Sequence, residues 1–318
     1  MPAMRILLIG CGDVARRFLS LLPRALRVHA LLRDGSRAGD WRAAGALPLL
    51  ADLDDPASLR RLHGLADVVV HLAPPPNSGD RDSRTRHLLA ALSRTGRPGN
   101  PAKSSTGKGM RAKSLPQRLI YISTTGVYGD CAGEHIDETR RRQPESARAS
   151  RRVDAEDTLR CGGARNEVAV TILRAPGIYA ADRLPIERLQ RGTPALCAED
   201  DVYTNHIHAD DLARAILAAI RYGRPNRAIN VVDDGDLKMA DYFDAVADAF
   251  ALPRPPRLDR ETLRQQLSPV QYSFMRESRR IGNTRLKREL RLRLTYPTTA
   301  DGIAAARAST VTQDSTAC

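Results

Sequence analysis

The N-terminal part of the chain begins with an apolar run, a glycine turn and an amphipathic segment. In residues 4–9 every residue except Arg5 is apolar, which predicts a buried strand. Gly10, Cys11 and Gly12 then form a tight turn. Beyond the turn, apolar residues recur at helical spacing, at Val14, Ala15, Phe18, Leu19 and Leu22. The pattern therefore predicts a strand, a turn and a helix in that order.

The same alternation of short apolar runs and helical segments continues to about residue 233. Strands are predicted over 28–32, 45–52, 66–72, 118–123, 168–174 and 228–233, and helices over 57–63, 84–94 and after Pro144. The run 66–72, ADVVVHL, is continuous, as in a central parallel strand that is buried on both faces. Beyond residue 235 the pattern is helical, with helices predicted over 239–250 and 260–267. The chain therefore belongs to the α/β class.

The composition of the chain indicates in which cellular compartment the protein is expected. The chain has 318 residues, 42% of them hydrophobic, and no apolar run reaches the roughly 20 residues that span a membrane. Neither a signal peptide nor a membrane partner is expected. The five cysteines are scattered, odd in number and without a C-x-x-C pair, so we predict no disulfide framework and no metal site. These features favour the cytoplasm.

The formal net charge of +13 raises the question of a nucleic-acid partner. Arginines spread along the whole chain supply most of it, and aromatic residues make up only 4%. No basic stripe is interleaved with aromatics, so we expect no nucleic acid. Residues 95–117 contain no acid and are rich in Gly, Pro, Ser and Lys, which predicts a flexible insertion. Its Gly107-Lys108-Gly109 lacks the spacing of a phosphate loop.

The first turn fits the G-x-G-x-x-[GA] pattern of dinucleotide sites. Gly10 permits the turn, Gly12 lets the backbone approach a pyrophosphate, and Ala15 allows close packing of helix on strand. The helix N-terminus supplies N–H groups and a partial positive charge. The second predicted strand ends in Arg33 and Asp34. An Arg there accommodates the 2′-phosphate of NADP and an acid takes the ribose of NAD, so the cofactor is NADP or NAD, with Arg33 favouring NADP.

Two further strand ends complete the predicted cofactor site. Asp52 closes the third strand, and Ala73 opens the proline-rich loop that follows the fourth strand. A stiff loop at the carboxyl edge of a parallel sheet is placed to lie along a cofactor.

Four later segments carry a family resemblance: STTGVYGD (123–130), APGIY (175–179), NHIHADD (205–211) and AINVVDD (228–234). Together with the glycine turn they resemble the extended short-chain dehydrogenase/reductase superfamily, which includes NAD(P)-dependent epimerases and dehydratases of nucleotide sugars. The resemblance, from Arg5 to about Thr299, implies a doubly wound parallel Rossmann sheet with a small, mostly helical C-terminal substrate lobe. We assign 1–174 to the Rossmann domain, 175–307 to the last strand and the lobe, and 308–318 to a disordered tail.

The resemblance also implies where the chemistry lies. In the superfamily a Ser or Thr after the fifth strand orients the substrate, and a Tyr-x-x-x-Lys pair on the next helix transfers the proton and holds the ribose. Thr124 matches the first position. Counting back from Glu156, Arg152 stands where Lys belongs and Arg148 where Tyr belongs. Arginine stays protonated in proteins, so Arg148 is no ordinary proton donor, whereas Arg152 could hydrogen-bond a ribose. The chain thus resembles an atypical branch of the superfamily, in which the Tyr-x-x-x-Lys pair is replaced.

Other groups could in principle donate the proton, but we expect structural roles for them. They are Tyr128, Tyr179, His208 and the acidic segment 134–138. Two functions stay open at this point. One is an NAD(P)-dependent oxidoreductase or epimerase that acts on a small carbonyl or nucleotide-sugar-type substrate. The alternative is an NAD(P)-binding sensor or scaffold without hydride transfer. By analogy with the superfamily, the helix over 144–160 would pair two copies as a homodimer.

Overall fold

The computed structural model describes residues 4–93 and 115–316. Its contacts divide the chain into a first unit (1–123, 150–173 and 216–228) and a second unit (124–149, 174–215 and 229–318). The sequence placed one boundary after residue 174, close to where the chain enters the second unit for the second time. Each unit consists of three separate segments of the chain, so a single boundary in the sequence does not divide them. The predicted insertion 95–117 lies outside the described residues except for its last three, where Leu115 packs against the first unit's core.

Seven strands form a central sheet in the order β12-β7-β5-β4-β1-β2-β3. In chain order the strands are β1 (Arg5–Ile9), β2 (Arg27–Leu32), β3 (Leu47–Leu50), β4 (Val68–His71), β5 (Arg118–Thr124), β6 (His135–Ile136), β7 (Ala169–Ala175), β8 (Gly177–Tyr179), β9 (Ala195–Leu196), β10 (Tyr203–Thr204), β11 (His206–His208), β12 (Arg227–Asn230), β13 (Leu237–Lys238), β14 (Arg257–Leu258) and β15 (Arg280–Ile281). The eight short strands outside the sheet join in pairs.

The helices alternate with the strands of the sheet and then dominate the C-terminal part. They are α1 (Asp13–Ser20), α2 (Ala38–Ala43), α3 (Ser83–Ser93), α4 (Ala147–Asn166), α5 (Ile186–Gln190), α6 (Ala209–Tyr222), α7 (Met239–Ala249), α8 (Arg260–Gln266), α9 (Pro269–Ser273), α10 (Thr284–Arg288) and α11 (Thr299–Thr316). Four 3-10 helices cover Gly35–Arg37, Ser58–Arg61, Thr125–Tyr128 and Ala181–Arg183. The fold class predicted from the sequence is confirmed.

The sheet reverses its strand order between β1 and β4. β1 pairs in parallel with β2 on one side and with β4 on the other, and Ile9 lies opposite His71. All four residues of β4 are buried, as in a strand covered on both faces. In open α/β sheets, ligands bind at such a switch point, beyond the carboxyl ends of the strands.

Each unit has its own apolar core. The core of the first unit gathers residues from the sheet and from α3 and α4, including Leu7, Val69, Leu88 and Leu159. The core of the second unit is largely helical, and α7 contributes Phe243 and Val246 to it. The helical spacing over 239–250 therefore identified the correct buried face.

Two elements differ from the sequence prediction. The helix expected over 57–63 is a 3-10 turn, because the Ser58 hydroxyl bonds to the backbone of Asp52 and Asp55 and competes with a regular helix. At the other end of the chain, α11 continues to Thr316 and so enters the segment 308–318 for which a disordered tail was expected. No glycine or proline between Gly302 and Thr316 stops that helix.

Candidate functional site

The glycine turn 10–12 packs against the residues that follow β4, at the switch point of the sheet. Gly10 has a φ of +87°, and a Cβ placed on it would lie 2.3 Å from the backbone nitrogen of Ala73. No side chain fits there, because real Cβ atoms do not approach backbone so closely. Gly10 thus permits both the left-handed turn and the contact between two strand ends.

Gly12 has the opposite surroundings. It precedes α1 in an extended conformation, with φ −98°, and a Cβ on it would meet no atom within 4 Å. The first turn of α1 leaves backbone N–H groups without helical partners and carries the positive end of the helix dipole. Asp13 in that turn is paired with Arg17 at 2.9 Å. Ala15 is fully buried, which fits the close helix packing expected of it.

A cavity of about 420 Å³ lies along this turn in the first unit. Five of the predicted residues line it: Gly10, Gly12, Arg33, Asp52 and Ala73. Ala15 is not among the lining residues. Other lining residues come from the ends of the first four strands and from α3: Ile9, Cys11, Leu31, Leu32, Asp34, Arg37, Ala51, Leu53, Leu72, Pro74 and Arg84. The structure therefore brings together the side chains that the sequence assigned to one cofactor.

The charges around the cavity are mostly positive and partly unpaired. Asp34 accepts hydrogen bonds from the Ser36 N–H and hydroxyl, which lower the pKa of its carboxyl. Arg33 and Arg37 are exposed and have no side-chain partner within residues 4–93 and 115–316. Both guanidinium groups nevertheless lie close enough to Asp34 for their charges to contribute to the lowered pKa of its carboxyl.

Arg84 is a lining residue that the sequence reasoning missed. It forms an ion pair with Asp54 at 2.6 Å and donates to the carbonyl of Pro74 at 3.1 Å. This arginine thus ties the proline-rich loop after β4 to the loop after β3. Its only signal in the sequence was its place at the start of the helix that follows the proline cluster.

Arg152 is held by hydrogen bonds to two residues near the carboxyl end of β5. Its Nη1 donates to the Tyr121 hydroxyl at 3.0 Å and to the carbonyl of Ile122 at 2.7 Å. Tyr121 is fully buried, and burial raises the pKa of its phenol to about 12, so the hydroxyl is neutral at physiological pH. The Nε and Nη2 of Arg152 make no hydrogen bond within the described parts of the chain. Tyr121 was missed because the strand pattern RLIYIS assigns it to the core.

Glu156, from which the positions of Arg148 and Arg152 were counted, anchors α4 to the sheet. It is fully buried and accepts the hydroxyl of Ser123 at 2.7 Å. This bond holds the helix in register with the end of β5 and keeps Arg152 opposite Tyr121.

Thr124 and Arg148 lie in the second unit. The Oγ1 of Thr124 accepts the N–H of Gly126 at 3.2 Å and caps the 3-10 helix Thr125–Tyr128. A Cβ on Gly126 would lie 3.8 Å from that of Ala149, next to Arg148. The Arg148 guanidinium stacks 4.4 Å from the ring centroid of Phe274. The candidate catalytic residues are thus divided, with Arg152 in the first unit and these two in the second.

The alternative acids have structural partners. The Tyr128 hydroxyl donates to Asn230 at 2.7 Å and accepts from Arg174 at 2.9 Å. The Tyr179 hydroxyl donates to the Thr298 carbonyl at 3.1 Å. The Nδ1 of His208 accepts the N–H of Asp210. In the acidic segment, Glu138 accepts the N–H of Asn230 at 2.8 Å, and burial raises the pKa of its carboxyl. Tyr128, Tyr179 and Glu138 therefore join distant segments of the second unit, whereas the bond of His208 is local.

The described residues contain neither a membrane-spanning helix nor a metal-binding cluster. No helix in the described part of the chain is long and apolar enough to cross a membrane. Within the same residues no group of three or more His, Cys, Asp or Glu side chains is placed to hold a metal ion.

A parallel sheet with a glycine turn at its switch point defines a dinucleotide-binding protein of the Rossmann type. The model of the NAD dependent epimerase/dehydratase family matches residues 12–232. The chain belongs to this family, and its fold and glycine turn are those of the extended short-chain dehydrogenase/reductase type.

Comparisons with individual proteins give the same fold without fixing a substrate. Human dTDP-D-glucose 4,6-dehydratase is 26% identical over 123 residues, 36% of this chain and 35% of the relative, so the match spans about a third of that protein. A conserved protein of unknown function from Silicibacter pomeroyi DSS has a TM-score of 0.75 and 26% identity, over 97% of this chain and 99% of that one. UDP-glucuronic acid 4-epimerase from Bacillus cereus, solved with UDP-glucuronic acid and NAD, has a TM-score of 0.71 and 17% identity, over 96% and 98%.

Proposed function

We propose that this chain is an NAD(P)-dependent oxidoreductase or epimerase that acts on a small carbonyl or nucleotide-sugar-type substrate. The observation that carries the proposal is the cavity along Gly10 and Gly12. The open space beside Gly12 is what a backbone needs to approach a pyrophosphate, and the N-terminus of α1 favours its negative charge. These residues fit the dinucleotide that the family implies.

The arginines favour NADP over NAD. Arg33 and Arg37 line the cavity without a hydrogen bond or ion pair in the described residues, whereas the carboxylate of Asp34 accepts two hydrogen bonds from Ser36. A guanidinium fork matches the oxygens of a 2′-phosphate, and Asp34 has fewer acceptor positions left for the ribose hydroxyls of NAD because each of its oxygens already accepts one hydrogen bond. Asp52, two residues after β3, lines the same cavity and would contribute to the adenosine side of the site.

The chain's own residues divide the chemistry. A bound nicotinamide supplies or accepts the hydride. Thr124 uses one lone pair for the Gly126 N–H and keeps its hydroxyl proton for a substrate oxygen. Arg152, anchored through Nη1, presents its remaining N–H groups to the ribose. Arg148 is a permanent cation stacked on Phe274 and orients a substrate rather than donating a proton.

A second function, an NAD(P)-binding sensor or scaffold without hydride transfer, is favoured by the replacement of the Tyr-x-x-x-Lys pair. The Tyr128 and Tyr179 hydroxyls are both engaged in structural hydrogen bonds. Neither tyrosine is therefore a ready substitute for the missing proton donor.

Fluorescence titration with NADPH and NADH, followed by turnover assays, separates the two functions. The assays use a panel of nucleotide sugars and small carbonyl compounds. We expect binding of NADPH in preference to NADH, and with at least one compound either net oxidation of NADPH or formation of an epimerised product without net oxidation. Tight binding without any turnover would favour the sensor, and no binding of either cofactor would refute both.

We also propose a cytoplasmic location and a homodimer that pairs through α4. The scattered cysteines support the first proposal, and analogy with the superfamily supports the second. Sedimentation of the purified protein tests the dimer, which a monomer at micromolar concentration would rule out.

A further inference from the structure

Two loops of the first unit form walls of the cavity along the glycine turn. The β3 loop (51–55) and the β4 loop (72–76) line it with three residues each: Ala51, Asp52 and Leu53, and Leu72, Ala73 and Pro74. β3 and β4 are not neighbours in the sheet, since β1 and β2 stand between them. In the described part of the chain no backbone hydrogen bond joins the two loops. Any direct polar link between these walls is therefore made by side chains.

The guanidinium of Arg84, on helix α3, forms such a link. Its Nε and Nη2 donate to the two carboxylate oxygens of Asp54 at 2.8 and 2.6 Å, which is a bidentate pair. Its Nη1 donates to the carbonyls of Pro74 at 3.1 Å and Pro75 at 3.3 Å. The hydrogen bonds from Arg84 lower the pKa of the Asp54 carboxyl, so the pair keeps both charges at neutral pH. One planar group is thus shared between the two loops.

Each of the two loops is also restrained on its own. His87 follows Arg84 by three residues, a spacing that puts both side chains on one face of α3. The Nδ1 of His87 donates to the Leu53 carbonyl at 2.7 Å, since a carbonyl oxygen can only accept. In the β4 loop, the three consecutive prolines 74–76 stiffen the backbone. Because Arg84 joins two restrained segments, its bridge fixes the distance between them.

We propose that Arg84 is a positioning residue for the cofactor: its bridge between Asp54 and Pro74 holds two walls of the cavity at the separation that a dinucleotide needs. This inference rests on the proposed function, which places NADPH or NADH in the cavity. Walls that are already in place reduce the ordering cost of binding. The bridge shapes the cavity for both cofactors, so its loss affects NADPH and NADH alike, in contrast to the loss of Arg33.

Fluorescence titration of Arg84→Gln with NADPH and with NADH tests the inference. Glutamine keeps a polar side chain but lacks the charge and the fork. We expect affinity for both cofactors to fall by about tenfold. Arg86→Gln is the matched control, because Arg86 lies on the same helix and pairs with Asp154 at 2.6 Å but does not line the cavity. It should bind both cofactors as the wild type does. Urea unfolding of both variants shows whether a loss of affinity merely follows a loss of stability.

Asp54→Asn tests the same bridge from its other side and leaves α3 unchanged. We expect it to weaken the binding of both cofactors as well. The double variant Arg84→Gln/Asp54→Asn should lose no more affinity than the more affected single variant, because both substitutions break one bridge.

Three outcomes would overturn the inference. Either single variant could bind both cofactors as tightly as the wild type. Arg84→Gln could lose affinity for NADPH alone, which would make Arg84 a direct ligand of the 2′-phosphate. The Arg86→Gln control could lose as much affinity as Arg84→Gln. Each of these results, with a wild type that binds cofactor, rejects the positioning role alone. A wild type that binds neither cofactor rejects the proposed function, and the positioning role with it.

Discussion

Gly10 and Gly12 stand two residues apart in one turn, and the structure predicts opposite consequences for the same substitution. In Gly10→Ala the new methyl group would lie 2.3 Å from the Ala73 nitrogen, and the residue would keep a φ of +87°. The left-handed backbone costs roughly 1–2 kcal/mol, and overpacking against the backbone adds roughly 1–3 kcal/mol. We expect Gly10→Ala to lower the free energy of unfolding by about 2–5 kcal/mol. This is a large part of the roughly 5–15 kcal/mol by which a folded domain is stable.

Gly12→Ala should leave stability almost unchanged. The residue has a φ of −98°, and its Cβ would meet nothing within 4 Å, so the change in unfolding free energy should stay below about 1 kcal/mol. The methyl group would instead stand beside the cavity where a pyrophosphate approaches. We expect affinity for NADPH to fall by about tenfold or more, which corresponds to roughly 1.4 kcal/mol.

Urea denaturation followed by circular dichroism measures the first effect, and fluorescence titration with NADPH measures the second. The two variants serve as controls for each other, because they add the same methyl group to the same turn. The reasoning is refuted if Gly12→Ala binds NADPH as the wild type does, or if both variants lose the same stability.

Three further predictions concern single side chains. Arg33→Ala should weaken NADPH binding by about tenfold and leave NADH binding unchanged; equal losses in fluorescence titrations would contradict its role. Tyr121→Phe removes one acceptor from Arg152, so urea unfolding should show a loss of about 1.5–3 kcal/mol, accompanied by weaker NADPH binding. Burial raises the pKa of Asp233 to about 8, so the folded state holds a proton that the unfolded state releases above about pH 4. Stability should therefore fall between about pH 4 and 8, by at most about 1.4 kcal/mol per pH unit, and Asp233→Asn should flatten urea midpoints over this range.

The fold could be predicted from the sequence because its signals are local and repeated. The apolar runs at β1 and β4, and the helical spacing of α1 and α7, each report which face is buried. The 3-10 turn Ser58–Arg61 could not be predicted in the same way. It depends on hydrogen bonds of Ser58 to backbone groups of a loop whose path the sequence does not specify.

The candidate site was predictable where its residues sit at strand ends and not where they pair across elements. Gly10, Arg33 and Ala73 follow strands that meet at one sheet edge, and they line one cavity. The partner of Arg152 is Tyr121, a residue of the adjoining strand β5 whose continuous apolar pattern assigns it to the core. Only the packing of α4 on β5 shows that its hydroxyl faces a guanidinium.

Under the proposed function, the replacement of the Tyr-x-x-x-Lys pair by Arg148 and Arg152 would alter proton transfer more than cofactor binding. A lysine presents a point charge on a flexible stem, whereas Arg152 uses one nitrogen for Tyr121 and the Ile122 carbonyl and keeps the others for a ligand. Its guanidinium is therefore oriented before any cofactor arrives, which reduces the ordering cost of binding. Arg148 keeps a fixed charge beside Phe274 and cannot release a proton at physiological pH. Under the proposed function, binding of the cofactor and transfer of the proton would therefore fall to different groups, and the proton would come from a group other than Arg148 or Arg152.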